Sequence, residues 1–332
     1  MKRALILLCV ATLLLSFNSL RPKHNCAEWG FFAHKKINRL AIFSLPEEMF
    51  GFYKAHADYI TEHSVDADKR RHSVKGEAPK HYIDLDHYGG DSIHAPEELF
   101  KLMPRRWYDA VDKYTQDTLE AYGTLPWNLN LLCYRLVDAF KENNTKQILR
   151  LSADIGHYVG DAHVPLHTTE NYNGQFTGQY GIHGFWESRL PELFYEEYDM
   201  FTEDAIYLDS KRDFIWEIVE QSHFALDSVL RFEKELTTTF PEDQKMSFEE
   251  RGTIITEVYS KEFSTAYHNR LNGQVERRLK SAVHSLGCLW YTCWVDAGQP
   301  NIQELIPENL LPPKIAPVDS LKAIAHPERK ND

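Results

Sequence analysis

The stretch Ser152 to His167, SADIGHYVGDAHVPLH, constrains this chain more than any other. His157 and Asp161 stand four residues apart, so on an α-helix they share one face, one turn above the other. Ile148, Leu151, Ile155 and Val159 fall on the far side as an apolar stripe, which predicts a helix that packs with one face and presents an imidazole and a carboxylate with the other. Pro165 lacks an N–H and disfavours helix at the residue before it, so the helix is expected to end near Val164, with His167 on the turn beyond.

Partners for that pair must come from elsewhere in the chain. The loop HSVDADKRRHSVKGEAPKHYIDLDHYGGD has no apolar period and is rich in His and Asp, including Asp66, Asp68 and His81. By itself it reads as a solvated loop. After the central stretch, ENYNGQFTGQYGIHGF delivers His183, followed by Trp186 and Glu187 on a new helix, and His183 and Glu187 are again four apart. A lone helical His is more often a satisfied core residue. Two pairs at helical spacing with a trailing His167 instead suit Zn²⁺, which takes His nitrogen and carboxylate oxygen and in catalytic sites leaves a position open for water.

The remaining periodicity is helical, and the expected fold class is all-α, a single multi-helix domain. Ile37, Leu40, Ala41 and Phe43 repeat as a helix face with His34 near its start, and a second helix is expected from Glu47 to about Tyr59. Helices follow from about Pro96 to Asn143, divided at Pro126, with Trp107 and Trp127 as core aromatics. Long periodic segments run from Lys211 to about Leu236 and from Ser247 to about Asp296. No internal repeat is evident.

Lys2 and Arg3 precede an apolar run from Ala4 to Phe17, too short for a comfortable membrane span and suited to a secretory signal. The expected division is a signal peptide over 1–28, a catalytic domain over 29–298 and a Pro-rich tail over 299–332, in a secreted or periplasmic monomer without a transmembrane segment. The domain retains Cys133, Cys288 and Cys293, an odd number without paired spacing, so disulfide stapling is not expected. With 332 residues, 43% hydrophobic and 26% charged, the chain can bury a sizeable core. Its net charge of −12 argues against broad attraction to nucleic acid or anionic lipid. A phosphate substrate stays open, because bound Zn²⁺ would reverse the sign locally.

Taken together, Trp29 with His34 five residues on, a loop aspartate, His81-Tyr-Ile-Asp84, His157-Tyr-Val-Gly-Asp161-Ala-His-Val-Pro-Leu-His167 and His183-Gly-Phe-Trp-Glu187 resemble the zinc-dependent phospholipase C and S1/P1 nuclease superfamily. The resemblance covers nearly all of the chain after the signal peptide. It implies three zinc ions: one on His81, His157, Asp161 and a loop aspartate; a second on His167, His183 and Glu187; a third on His34, the amine and carbonyl of Trp29, and Asp161 as a bridge. The loop aspartate is Asp68 or Asp66, with Asp68 preferred. Glu187 and the closing LWYTCWVDAG look like the phospholipase branch, WGFFAH and His163 like the nuclease branch.

The function implied is hydrolysis of a phosphodiester by a zinc-activated hydroxide, with Asp161 bridging and Asp68 orienting or deprotonating the nucleophile. Tyr82 and Asp84 are candidates for contact with substrate, though packing and a structural hydrogen bond are their plainer roles. His163 is expected to lie behind the ligands or on the surface. Lys69, Arg70 and Arg71 read as a solvated basic turn or a phosphate clamp. The substrate is a phospholipid or a single-stranded nucleic acid; a metal-stabilised binding protein is the non-enzymatic alternative.

Overall fold

The stretch at the centre of the sequence is also at the centre of the molecule. In the computed structural model, which describes residues 30–89, 96–251 and 254–310, it is a helix from Thr145 to Ala162. Every residue from Leu151 to Ala162 is buried, so the helix is enclosed on all sides rather than split into a packed face and an open one. The chain thus encloses a helix that carries Ser152, Asp154, His157 and Asp161, a costly arrangement unless each polar group finds a partner.

The helices around it form in chain order. They are α1 (Gly30–Ala41), α2 (Glu47–Ala55), α3 (Ala57–His63), α4 (Asp66–Arg70), α5 (Leu125–Lys141), the central helix α6, α7 (Lys211–Thr239), α8 (Lys261–Leu271) and α9 (Gln274–Asp296). Pro126 sits in the first turn of α5, where its missing N–H costs nothing. Shorter helices at Pro96–Leu102, Trp107–Tyr114 and Gln116–Tyr122 lead into α5. Helices α5, α1, α3 and α9 all pack on α6, and one continuous hydrophobic core joins them. Among the described residues, no helix is long and apolar enough to cross a membrane.

Buried aromatic side chains link this core to the polar helix. Tyr53 of α2 and Trp290 of α9 are fully buried with ring centroids 4.8 Å apart. Burial of each ring contributes roughly 2–3 kcal/mol. Their polar ends both find Ser152 of α6: the Trp290 indole N–H donates to its carbonyl at 3.2 Å, and the Tyr53 hydroxyl pairs with its Oγ at 2.9 Å.

The expectation of helix from Ser247 onward is corrected by an antiparallel hairpin, β1 (Met246–Arg251) and β2 (Ile254–Tyr259), in register Met246 with Tyr259. The β-branched run Ile254, Ile255, Thr256, Val258 prefers a pleated strand, and helix resumes only at Lys261. The foot of the hairpin is anchored beside the later ligands. Tyr259 stacks on Phe185 at 3.8 Å, and the Arg189 guanidinium donates to the Tyr259 carbonyl at 3.2 Å and to the Glu249 carboxylate. The expected signal peptide, Trp29 and most of the Pro-rich tail lie outside the described residues.

Candidate metal centre

Six separate pieces of chain converge on one buried point. His34 comes from α1 and Asp68 from α4; His81 ends the short 3-10 turn Ala78–His81; His157 and Asp161 come from α6. His167 lies in the 3-10 turn Pro165–Thr168, just past the end of α6, because Pro165 stops the helix. His183 and Glu187 lie on the segment Ile182–Arg189, whose second part is a π-helical turn. Such turns are rare and recur at functional sites.

Asp161 is the hub. Its Oδ2 lies 2.9 Å from His81 Nδ1 and 3.3 Å from His157 Nε2, while its Oδ1 lies 3.5 Å from His34 Nε2 and 3.9 Å from His167 Nδ1. Asp68 Oδ1 stands 3.7 Å from both His81 Nδ1 and His157 Nε2. Asp66 turns away, held by His63 at 2.6 Å and Lys69 at 2.9 Å. Glu187 reaches His183 at 2.8 Å, His167 at 3.5 Å and His34 at 3.8 Å. The residues fall into groups whose ligand atoms all lie within 4.8 Å of one another: His81, His157 and Asp161; His167, His183 and Glu187; His34, Asp161 and Glu187; and His34, Asp68 and His157.

The hydrogen bonds fix the tautomers, and the tautomers say what is wanted between these groups. His157 Nδ1 must donate to the carbonyl of Ser64 at 2.9 Å, because a carbonyl only accepts. Its Nε2 in the neutral ring therefore presents a lone pair, with His81 Nδ1 at 3.0 Å and the Asp161 carboxylate at 3.3 Å. His167 Nδ1 likewise donates to the carbonyl of His81, and its buried Nε2, without a hydrogen-bond partner, faces Glu187. Lone pair against carboxylate in a buried site is repulsive unless a proton or a metal cation lies between them, and ligating histidines are oriented in this way by a backbone carbonyl on the other ring nitrogen. His34 Nδ1, His81 Nε2 and His183 Nδ1 are also buried without a partner.

Electrostatics give the same answer. Burial, the largest influence, disfavours the charged form of His157, yet the carboxylates of Asp161 and Asp68 outweigh it and raise the ring to about 9. His167 is raised to about 9 against burial by Asp161 and Glu187. Burial acts to raise Asp161 and Glu187, but the imidazoles, His157 and His167 first among them, hold both well below the usual carboxylate range. His34 and His81 are lowered, by burial first. The centre is thus a nest of ionised carboxylates and imidazoles that favours positive charge.

No protein-family model and no characterised protein matches the chain at a significant level. The ligand geometry of the described residues carries the reading of the site.

Several residues that the sequence did not single out build this centre. Gly156 and Gly160 let α1 approach α6: a Cβ on Gly160 would meet His34 Nδ1 at 2.7 Å, and one on Gly156 would meet Asn38 Oδ1 at 2.1 Å. Gly160→Ala is therefore expected to push His34 off Asp161 and Glu187, lowering metal content and turnover by about tenfold or more, as outer contacts of metal ligands do; metal analysis of the variant checks it. Arg70 belongs neither to a solvated turn nor to a phosphate clamp. It donates at 3.0 Å to both Glu77 and Asp154, and buried Glu77 also takes Lys80 and the Tyr158 hydroxyl, at 2.7 and 2.6 Å. This network ties α4, which carries Asp68, to α6.

The other candidates are placed as follows. Tyr82 is half-buried, with its hydroxyl on the carbonyl of Ala121 at 3.3 Å. Asp84 is half-buried near the centre; burial, then Asp86 and Glu170, raise its carboxyl to about 7. Removing that charge should help where it is ionised and do nothing where it is protonated. Asp84→Asn is expected to raise the melting temperature at pH 8 and leave it unchanged at pH 5; equal melting at both pH values would contradict the shift. His163, expected behind the ligands or on the surface, is 2% exposed and bonds Val159, Ser281 and Ser285. It joins α6 to α9 because Ala162 ends the helix one residue earlier, turning the ring towards α9.

Proposed function

We propose that this chain is a zinc-dependent hydrolase of phosphodiesters, phospholipase C-like, exported from the cytoplasm. The observation that carries the reading is the pair of tautomer-fixed imidazoles, His157 and His167, each held through Nδ1 by a backbone carbonyl so that its Nε2 faces the Asp161 or Glu187 carboxylate in a buried site.

The residues fit zinc in donor type: His81, His157 and Asp161 for one ion, with Asp68 Oδ1 3.7 Å from both imidazoles, His167, His183 and Glu187 for a second, and His34 with Asp161 and Glu187 towards a third. Bound zinc lowers the pKa of water from 15.7 to about 7 and polarises phosphoryl oxygen. The chain's own groups do the rest. Asp68, only partly buried at the edge of the centre, accepts the proton of the attacking water and aims it at phosphorus. Asp161 holds both halves at a fixed distance, and Ser64 and the His81 carbonyl keep the imidazole rings from rotating. Burial of His34, His81, His157, Asp161 and His167 excludes bulk water and strengthens each electrostatic contact.

Asp84, Asp86 and Glu170 cluster beside the centre and would repel a polyanionic strand, which favours a phospholipid. A second reading, single-strand nuclease, is favoured by exposed rings on the loop before His183: Tyr172, 6.0 Å from the His183 ring, with Phe176 and Tyr180. One parallel assay of the processed protein separates them: release of choline phosphate from phosphatidylcholine against cleavage of single-stranded DNA, each with and without a chelator. Chelator-sensitive turnover of the lipid supports the first reading, and of DNA the second. Turnover of neither by zinc-loaded protein overturns both.

A further inference from the structure

Away from the metal centre, the packing of α5 against α9 brings two thiols together that lie 160 residues apart in sequence. Cys133 of α5 and Cys293 of α9 are both 0% exposed. The Cys293 thiol points at α5, where its Sγ lies 3.5 Å from the Cys133 carbonyl oxygen. The remaining described cysteine, Cys288, is occupied elsewhere: its sulfur accepts from the Ile206 N–H at 3.4 Å and pairs with His284. The odd cysteine count therefore divides into a facing pair and a single, a division that sequence spacing does not contain.

We propose that Cys133 and Cys293 are an oxidisable pair that closes as a disulfide between α5 and α9. Each thiol loses its proton, one sulfur–sulfur bond forms, and the two electrons reduce an external disulfide, such as oxidised glutathione or a disulfide-donating oxidoreductase, to its dithiol. Two further observations set its timing. Burial, and after it the adjoining Cys133 thiol, raise the Cys293 thiol well above its ordinary value, so little thiolate exists once the helices have packed. Lys211, paired with Asp296 beside the same site, acts on Cys293 in the opposite sense, and it arrives with α7. Exchange thus belongs to the folding chain, before α5 and α9 close, and the folded protein then shields the bond from reductant.

A cross-link between positions this far apart removes much chain entropy from the unfolded state. The plain alternative is that both thiols are small apolar packing residues at a close helix crossing, permanently reduced. Refolding of the full chain in a buffer of oxidised and reduced glutathione, followed by alkylation and non-reducing peptide mapping, distinguishes the two. The expected result is a linked Cys133–Cys293 peptide pair with Cys288 alkylated, and a melting temperature that falls by about 10 °C when the refolded protein is fully reduced. Cys293→Ser should melt at one temperature with or without reductant. Recovery of Cys133 and Cys293 as alkylated thiols after oxidative refolding overturns the proposal, as does a linked pair that includes Cys288. The result is independent of zinc content and of the substrate.

Discussion

Asp161→Asn is expected to remove at least one zinc ion and to lower turnover on the order of a hundredfold or more. The substitution keeps the shape of the side chain and deletes one anionic oxygen. Asp161 is 1% exposed and has both oxygens engaged, Oδ2 towards His81 and His157 and Oδ1 towards His34 and His167. Two cations would then face each other with less negative charge between them, at a separation where solvent screens little. His163→Gln is the informative comparison. His163 lies two residues past Asp161, just beyond the helix end, and is also buried, but its bonds run to Val159, Ser281 and Ser285. Its substitution is expected to cost about 1–3 kcal/mol of stability through buried groups left unpaired and to leave metal content unchanged. Zinc content and melting temperature measured for both variants separate the roles. Loss of metal in His163→Gln, or retention of full metal in Asp161→Asn, would contradict the assignment.

Stripping the metal is expected to make stability depend on pH in a window where the loaded protein is insensitive. In the metal-free chain His157 and His167 have their folded pKa raised to about 9, above the ordinary 6.5. Protonation of each ring stabilises the fold fully below pH 6.5, and this contribution is lost as pH rises through 9. At full effect it is roughly 3 kcal/mol per ring. His34 and His81 are lowered and stay neutral across this range, so they do not oppose the trend. The chelated protein should therefore melt at progressively lower temperature from pH 6.5 to 9. In the loaded protein the cation replaces the protons, and the melting temperature should be nearly flat. Calorimetric titration at pH 7.5 in two buffers should show about two protons released as zinc rebinds, since ligating imidazole must be neutral. A flat profile for the chelated protein would contradict the electrostatic account of the centre.

The sequence made the ligands legible where spacing does the geometric work. His157 and Asp161 needed only the helical repeat to be placed on one face, and Pro165 was enough to put His167 past the helix end. His183 and Glu187 were paired by the same repeat, although the turn joining them is a π-turn, which the spacing could not distinguish. What the sequence could not convey was anything decided by close approach between distant segments. The contacts of Gly160 with His34 and of Gly156 with Asn38 depend on how α1 crosses α6. Ser64 acts through its carbonyl, so its side-chain identity carried no signal. Arg70 looked like part of a solvated basic run until the fold supplied Glu77 and Asp154 from other elements. Asp66 and Asp68 are two residues apart and were nearly equivalent as letters; on α4 they point to different partners, Asp66 to His63 and Lys69, Asp68 to His81 and His157. The hairpin at 246–259 has a helical look in the sequence because β-branched residues between two helical stretches satisfy a loose apolar period as well as a strand does.

The most direct measurement on the central claim is elemental analysis of the purified, processed protein after exhaustive dialysis against metal-free buffer. The proposed ligand sets, His81, His157 and Asp161 with Asp68 beside them, then His167, His183 and Glu187, then His34 with Asp161 and Glu187, predict close to three zinc ions per chain. A value of one or none, in protein that is folded by calorimetry, would contradict it.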